Sequence, residues 1–318
     1  MRQDEGTSCS RLGAMGFTEN DVISMLNRVF ASSDPRIEVG IGDDGAVVSV
    51  SPHQVITTDM AVENVHFRKA WSSAFEIGRK ITAANLADIY AMGAKPDYLV
   101  VALAVTADEE LSWLEELAKG IAHEANLGGA SVVGGDLVRG ETVTISITAV
   151  GGVDVPILRS GAKAGDSIFI SSLPGWSAAG LALMKNAGAI VSEAEKKAAQ
   201  AFCSPDVDYS GDYKGASSLC DVSDGLITQS QQIAEASGVQ LVFDPTLFSQ
   251  CQGFAELQEL ATSMDEDVHQ WIFAGGEDHI FLATGNELPG VCVGKVRDGA
   301  GVSGLEMKKA PEIWRHFN

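Results

Sequence analysis

Short acidic segments recur along this chain, and their side chains are of the kind that binds metal ions. Glycine, serine, threonine or asparagine flanks them, and they occupy residues 42–45, 57–59, 85–88, 134–136, 221–224 and 275–278. Two of them follow closely on apolar, β-branched runs, which predicts carboxylates at the ends of strands, where catalytic groups often lie. Converging carboxylates repel one another unless cations neutralise them, and Mg²⁺ favours oxygen ligands that it shares with substrate phosphates. The pattern therefore predicts a magnesium-dependent phosphoryl-transfer site assembled from several loops.

Two alternatives to this interpretation stay open at the level of the residues. Any single acidic residue can be a turn residue or a helix cap, although the recurrence of flanking glycines and hydroxyls favours a shared site. The carboxylates could also form a magnesium- or calcium-binding protein without turnover. The chain contains no GxxxxGK[ST] segment and no GxGxxG in a strand–helix context, so neither common phosphate-binding loop is predicted.

Bulk composition limits the partners and the compartment. A chain of 318 residues predicts two domains, and a formal net charge of −21 argues against nucleic acid and against anionic membranes. The five cysteines are odd in number and lack CxxC spacing, which disfavours a disulfide framework or a zinc site. No signal peptide and no bilayer-spanning apolar run are evident. We therefore expect a cytoplasmic protein that binds neither nucleic acid nor membrane.

Periodicity predicts the elements that position these segments. Apolar spacing favours helices over residues 17–30 and 73–92, the second with Asn85 and Asp88 on one face. Residues 46–50 and 54–58 predict a hairpin, and residues 142–150 alternate as a half-buried strand. The order of elements does not repeat βαβ, so we expect a mixed α/β fold of the α+β type. Its predicted parts are a flexible extension (1–16) and two domains (17–153 and 154–318).

The acidic segments and their neighbours, taken together, resemble the thiamine-monophosphate kinase family. The motifs that carry the resemblance occur in the family's order between residues 39 and 317: Gly40-Ile41-Gly42-Asp43-Asp44-Gly45-Ala46, Thr57-Thr58-Asp59 with Val65-His66-Phe67, Asn85-Leu86-Ala87-Asp88 with Ala91-Met92-Gly93-Ala94, Gly134-Gly135-Asp136, Arg159-Ser160-Gly161-Ala162, Asp221-Val222-Ser223-Asp224-Gly225-Leu226 and Gly275-Gly276-Glu277-Asp278. The resemblance implies ATP-dependent phosphorylation of thiamine monophosphate to thiamine diphosphate with several Mg²⁺ ions. It also implies a homodimer in which the N-terminal domains pair to form a barrel-like sheet. Another ATP-dependent synthetase or dikinase of the same superfamily is the alternative.

The resemblance also implies roles for individual residues. The metal-binding positions are Asp44, Thr57, Thr58, Asp59, Asp88, Asp136, Asp221 and Asp224. The ATP-binding positions are Gly135, Asp136, Arg159 and Ser223, and the substrate-binding positions are His66, Glu277 and Trp314. Two residues depart from the family pattern: Gly45, where alanine or cysteine is common, and His279, where tyrosine is common. No dedicated general base is expected, because the acceptor phosphate is already ionised near neutral pH.

Overall fold

The structure is a computed structural model that describes residues 18–41, 45–186, 188–305 and 307. The predicted N-terminal extension (1–16), the metal-ligand candidate Asp44 and the substrate-binding candidate Trp314 lie outside the described residues. Among the described residues, no helix is both long enough and apolar enough to cross a membrane.

The first half of the chain forms a four-stranded sheet with helices on one face. Its elements are α1 (Glu19–Val29), β1 (Ile37–Val39), β2 (Val47–Val48), β3 (Gln54–Val62), α2 (Ala74–Ala91), β4 (Lys95–Val105), α3 (Leu111–Leu127), β5 (Ser131–Arg139) and β6 (Thr144–Gly152). The sheet order is β3-β6-β4-β5, with β4 and β5 parallel and the other pairs antiparallel. The inward residues of β6, Ile145 and Ile147, are buried in one apolar cluster with Ile77 of α2 and Leu117 of α3.

Helix α2 lies against α3 at unusually short range, and two glycines make this possible. A Cβ at Gly78 would meet the Leu117 carbonyl oxygen at 2.3 Å, and a Cβ at Gly120 would meet the Phe75 carbonyl oxygen at 2.0 Å. The start of α2 is fixed by a capping box, in which the Ser73 side chain accepts from the Glu76 backbone and Glu76 accepts from the Ser73 backbone. Both features set the position of a helix that carries several candidate site residues.

The predicted hairpin of residues 46–50 and 54–58 is wrong. Strand β2 pairs with β1 instead, and β3 pairs along all nine of its residues with β6, from Gln54 opposite Gly152 to Val62 opposite Thr144. Two residues of β2 offer few cross-strand pairs, whereas β6 offers nine. Cross-strand pairs are the unit of sheet stabilisation, so the distant strand is the better partner.

The second half forms a six-stranded sheet with more helices. It begins with a 3₁₀ turn at Arg159–Gly161 and continues with β7 (Ser167–Ile170), α4 (Trp176–Asn186), α5 (Glu193–Cys203), β8 (Ser218–Val222), α6 (Leu226–Ser237), β9 (Gln240–Phe243), a 3₁₀ turn at Pro245–Gln250, α7 (Phe254–Ser263), α8 (Val268–Ala274), β10 (Ile280–Gly285), β11 (Val291–Arg297) and β12 (Gly301–Ser303). The sheet order is β12-β9-β11-β7-β10-β8. The predicted mixed α/β fold is confirmed. The domain limits 17–153 and 154–318 stay a prediction. The four-stranded sheet lies before residue 154, and the six-stranded sheet lies after it.

The first sheet leaves its other face open. Alternation along β3 turns Ile56, Thr58 and Met60 away from the helices, and all three side chains are exposed. Val100 of β4 and Val138 of β5 are exposed as well. One face of this sheet is therefore buried beneath helices, and the opposite face displays apolar side chains.

Candidate active site

Strand β3 and helix α2 together position the first group of candidate residues. Thr57 and Asp59 alternate with Thr58, so they face α2 rather than the open side of the sheet. The Thr57 hydroxyl donates to Asp88 Oδ2 at 2.7 Å. The backbone N–H of Asp59 donates to Asn85 Oδ1 at 3.1 Å, and the amide of Asn85 donates in turn to Ile81 O at 2.8 Å. The strand and the helix are thus bonded to each other at the two carboxylates.

Asp221, on strand β8 of the second sheet, brings a third carboxylate to the same place. It is buried, and its charge acts on both acidic residues of the first half. Burial raises the pKa of Asp88 to about 6, and the charges of Asp221 and Asp59 add to the shift. Burial likewise raises the pKa of Asp59, with further contributions from Asp221 and Glu277. The two halves of the chain therefore meet at a concentration of negative charge.

These donors fit a hard divalent cation that is shared with a phosphate. Within the part of the chain that the structure describes, no three His, Cys, Asp or Glu side chains form a group that could hold a metal ion on their own. Mg²⁺ commonly takes only one or two carboxylates and completes its six ligands with water and substrate phosphates. The Asp59 and Asp88 carboxylates, whose pKa values are raised by burial and by like charges, and the Thr57 hydroxyl oxygen match that donor set.

The loop between α8 and β10 adds two side chains to the site from strained backbone. Glu277 has φ +67° and His279 has φ +51°, a left-handed conformation that residues other than glycine adopt infrequently. The backbone N–H groups of these residues donate to Ser223 O (2.7 Å) and Val222 O (3.1 Å). A Cβ at Gly276 would meet Ser223 O at 2.6 Å, so glycine is required where the loop lies against the segment after β8.

His279 and Glu277 are both bound by charged partners. His279 Nδ1 lies 3.3 Å from Asp221 Oδ2. Burial opposes the charged form of His279, but the contact with Asp221 outweighs it and the pKa of His279 is raised. Glu277 Oε2 lies 2.6 Å from Lys80 Nζ of α2. Partial burial would raise the pKa of Glu277, but Lys80 and His279 outweigh that effect and the pKa is lowered.

Asp278, between these two residues, has a different function. Its Oδ2 accepts from the Gly175 N–H at 2.7 Å and its Oδ1 accepts from the Ser177 N–H at 2.9 Å. Asp278 thereby binds the backbone at the beginning of α4. This carboxylate therefore stabilises the beginning of a helix that is about 100 residues away in the sequence.

Comparison with known proteins gives the family. Residues 42–153 match the family described as AIR synthase related protein, N-terminal domain. The thiamine-monophosphate kinase of Mycobacterium tuberculosis is 39% identical to this chain over 250 residues, which is 77% of this chain and 74% of that protein. The chain belongs to the thiamine-monophosphate kinase family.

Other thiamine-monophosphate kinases and their structures agree over more of the chain. The enzyme of Aquifex aeolicus is 30% identical over 287 residues, covering 87% of this chain and 92% of that protein. The structure of AaThiL complexed with AMPPCP and TMP is similar with a TM-score of 0.77 and 28% identity, over 94% of this chain and 97% of that one. The thiamine-monophosphate kinase of Stenotrophomonas maltophilia K279a also has a TM-score of 0.77, with 27% identity and coverage of 91% and 96%.

Six of the residues that the family resemblance singles out lie around this junction. Thr57 is hydrogen-bonded to Asp88, the charges of Asp59 and Asp221 act on Asp88, and Glu277 and His66 lie beside them. His66 follows β3, its Nδ1 accepts from the Val62 N–H at 3.1 Å, and its charge contributes to lowering the pKa of Glu277. Their roles as ligands of metal or substrate stay predictions for this thiamine-monophosphate kinase family member.

Thr58 and Asp136 lie on the open face of the first sheet. Thr58 donates to Ile147 O at 3.0 Å. Asp136 is paired in register with Ala102, is exposed, and accepts from the Leu137 N–H at 3.0 Å. A Cβ at the preceding Gly135 would meet Val101 O at 2.0 Å, so the close approach that this glycine permits is to strand β4. The side chains of Thr58 and Asp136 therefore do not join Asp59 and Asp88 in this structure, and their roles stay predictions.

The remaining candidates of the thiamine-monophosphate kinase pattern lie on the second half. Ser223 Oγ accepts from Gln229 Nε2 at 3.1 Å, and Asp224 is exposed next to it. Arg159 lies beside β8, where it partly counteracts the raising of the Cys220 pKa by burial and by Asp221. Asp44 and Trp314 lie outside the described residues.

Sequence reasoning did not assign three residues that the structure places here: Asn85, Lys80 and His279. Asn85 is fully buried in the apolar face of α2, and a polar residue in that position one turn before Asp88 is a signal that the sequence contains. His279 was noted only as a departure from the common tyrosine. Lys80 carried no signal, because its partner Glu277 is 197 positions away in the sequence.

Proposed function

We propose that this chain transfers the terminal phosphoryl group of ATP to thiamine monophosphate and releases thiamine diphosphate and ADP. The observation that carries the proposal is the likeness, over more than nine-tenths of both chains, to a relative complexed with AMPPCP and TMP. The identity of 39% with a thiamine-monophosphate kinase supports the same reaction.

The acceptor explains why carboxylates dominate the site and a general base is not needed. The second pKa of a phosphate monoester is about 6, so the attacking oxygen is already largely ionised near neutral pH. The difficulty is to bring two polyanions together, and phosphoryl transfer depends mainly on positioning and on electrostatic stabilisation. The work of the chain is therefore to align the two phosphate groups.

Several Mg²⁺ ions are part of the proposal. Thr57, Asp59, Asp88 and Asp221 would hold them at the junction of the two halves, and the resemblance adds Asp44, Thr58, Asp136 and Asp224. Bound there, Mg²⁺ would neutralise the charge of the nucleotide phosphates. The raised pKa values of Asp59 and Asp88 support this assignment, because a cation relieves the repulsion that causes part of them.

The two substrates would take opposite parts of the site. Gly135, Asp136, Arg159 and Ser223 would bind ATP, the arginine through charge-assisted hydrogen bonds to phosphate oxygens. His66, Glu277 and Trp314 would bind thiamine monophosphate, with the Glu277 carboxylate near the cationic or amino-bearing part of thiamine and the indole stacked on a flat ring.

A homodimer is the assembly that we propose, and its interface is the open face of the first sheet. Ile56, Met60, Val100 and Val138 are exposed there, and exposed apolar side chains grouped on one face of a sheet commonly mark an interface. Pairing with a second copy would bury these side chains and form the barrel-like sheet that the resemblance implies. We place the dimer in the cytoplasm, in keeping with four unpaired cysteines among the described residues.

Product analysis tests the reaction. Purified protein with ATP, Mg²⁺ and thiamine monophosphate is expected to form thiamine diphosphate and ADP in equal amounts, and to use free thiamine poorly because an alcohol is not ionised at neutral pH. A preference for free thiamine, or ADP formation that does not depend on thiamine monophosphate, would contradict the proposal.

A further inference from the structure

Lys80 joins three separate parts of the molecule at the candidate site. Its Nζ pairs with Glu277 Oε2 at 2.6 Å, donates to Phe202 O at 2.9 Å and lies 4.4 Å from the centre of the Phe202 ring. Lys80 belongs to helix α2 of the first half, whereas Phe202 is in α5 and Glu277 is in the loop before β10. The side chain is only 12% exposed, so it is a largely buried cation at the contact between the two halves.

The contacts of Lys80 leave it little capacity to bind a phosphate. An ammonium has three N–H donors, of which Glu277 and Phe202 O use two, and the aromatic ring occupies another side of the charge. Glu277, by contrast, keeps 46% of its side chain exposed while it is paired. The geometry therefore makes Lys80 the anchor and leaves Glu277 accessible to a ligand.

Glu277 is fixed at its backbone as well as at its carboxylate. Its N–H donates to Ser223 O at 2.7 Å, and its φ of +67° directs the side chain. Three rotatable bonds separate that backbone from the carboxylate, and its neighbours include the like-charged Asp59, whose pKa it helps to raise. Without Lys80, rotation and repulsion would both turn the carboxylate away from the site.

We propose that Lys80 is a positioning residue that sets the affinity for thiamine monophosphate by holding the Glu277 carboxylate in place. This inference rests on the proposed function and adds to it a residue that does not touch the substrate. The effect is specific to the acceptor, because the carboxylate that Lys80 orients faces the cationic thiamine moiety. ATP is expected to be bound by other residues.

The substitution Lys80→Met tests the proposal, since methionine keeps the unbranched shape and removes the charge. We expect the KM for thiamine monophosphate to rise about tenfold, equivalent to about 1.4 kcal/mol, with less than about a twofold change in the KM for ATP. Lys80→Arg keeps a cation that can pair with a carboxylate and is expected to restore most of the acceptor affinity. Calorimetric titration of thiamine monophosphate without ATP should show the same ranking.

A double-mutant cycle separates positioning from a general effect on the fold. If Lys80 acts through Glu277, then Lys80→Met added to Glu277→Gln changes the KM for thiamine monophosphate by less than about twofold, because the interaction is already lost. Lys119→Met is the matched control: Lys119 is a helical lysine of α3 that pairs with Glu116 at 2.8 Å on the surface, and its loss should leave both KM values unchanged.

Four results would overturn the proposal. The first two are an unchanged or lower KM for thiamine monophosphate in Lys80→Met, and equal rises in the KM values for thiamine monophosphate and ATP. The other two are no recovery of acceptor affinity in Lys80→Arg, and a double variant whose rise in KM is the product of the rises in the two single variants. A lower KM would mean that Lys80 merely offsets the charge of Glu277. Thermal unfolding shows whether Lys80→Met folds. If it does not, the calorimetric affinities for thiamine monophosphate of the wild type, Lys80→Arg and Glu277→Gln are compared instead. An affinity of Lys80→Arg that is closer to that of Glu277→Gln than to that of the wild type refutes the role. Failure of the wild-type protein to form thiamine diphosphate would instead refute the proposed function.

Discussion

Neighbouring carboxylates in the Gly276–His279 loop have different functions because their surroundings differ. Glu277 is paired with a lysine and keeps an exposed surface, whereas Asp278 is buried and accepts two backbone N–H groups. Burial dominates at Asp278 and raises its pKa to about 6. The environment of each side chain, rather than the motif that contains it, decides whether an acidic residue serves the fold or the chemistry.

The pKa of Asp278 predicts how its contribution to stability depends on pH. Because the folded pKa is higher than the unfolded value of 3.8, this group favours the folded state at low pH, and the contribution is lost as the pH rises through about 6. Relative to Asp278→Asn, the free energy of unfolding of the wild type should fall by up to roughly 2 kcal/mol between about pH 4.5 and 7.5. Urea denaturation of the metal-free proteins measures the difference.

Asp244→Asn is the control for this experiment. Asp244 caps a 3₁₀ turn with the same kind of bond, from the Thr246 N–H at 3.0 Å, but the hydrogen bonds with Thr246 lower its pKa. Its stabilising contribution is lost only as the pH falls below the usual range of a carboxyl group. A pH-independent difference for Asp278→Asn would show that burial does not control the ionisation of Asp278.

Asp59 is expected to destabilise the metal-free protein and to be necessary for the reaction. Its pKa is raised by burial and by Asp221 and Glu277, so Asp59→Asn is expected to raise the thermal midpoint of the metal-free protein and to abolish most kinase activity. Asp136→Asn is expected to lower activity without raising that midpoint, because Asp136 is exposed on the other face of the sheet. Calorimetric unfolding without Mg²⁺ gives the thermal midpoints, and product assays with Mg²⁺ give the kinase activities. Wild-type activity in Asp59→Asn would exclude a metal-binding role for Asp59.

At the scale of the elements, helix α2 is the part that organises the site. It carries Lys80, which pairs with the Glu277 loop, and Asn85 and Asp88, which bond the Asp59 backbone and the Thr57 hydroxyl of strand β3. The capping box at Ser73 fixes where the helix begins. The close contact between α2 and α3 at Gly78 and Gly120 fixes the distance between the two helices. Small displacements of α2 therefore reach all three contacts at once.

Gly120→Ala should reveal this dependence. The added methyl group would lie 2.0 Å from Phe75 O, so α2 and α3 must separate, and overpacking of this kind destabilises by about 1–3 kcal/mol. We expect a lower thermal midpoint together with a loss of kinase activity that exceeds the loss of folded protein. Gly188→Ala, where the methyl group would meet no atom within 4 Å, should change neither the thermal midpoint nor the kinase activity. Full activity of folded Gly120→Ala would show that the site tolerates a displacement of α2.

At the scale of the whole molecule, the open face of the first sheet predicts the assembly. Met60 and Ile56 lie on its edge strand β3 and are exposed, so Met60→Lys is expected to convert a dimer into a monomer by placing a charge in an apolar interface. Light scattering coupled to size-exclusion chromatography should give a mass near twice 33.4 kDa for the wild type and near 33.4 kDa for the variant. Val155→Lys, at an exposed apolar position outside this sheet, should leave the mass unchanged. A monomeric wild type would refute the interface.

Local sequence determined much of the protein. Apolar spacing predicted the helix that the structure has at Ala74–Ala91, with Asn85 and Asp88 directed to the same side, and alternation predicted the strand Thr144–Gly152. The recurring acidic segments predicted a family whose membership the comparisons show. These features depend on residues within a few positions of one another, which is the range over which helical and strand periodicity act.

Only the tertiary structure decided which distant residues meet. The sequence suggested a hairpin before Thr58, but β3 pairs with β6, because the stabilising partner is the strand that offers the longer ladder. It contained no indication that Lys80 binds Glu277 or that His279 binds Asp221. Alternation along a strand turns Thr57 and Thr58 to opposite faces, but the sequence could not show which of them faces α2. Such features depend on which distant segments pack together, and that packing is settled by burial and charge over the whole chain.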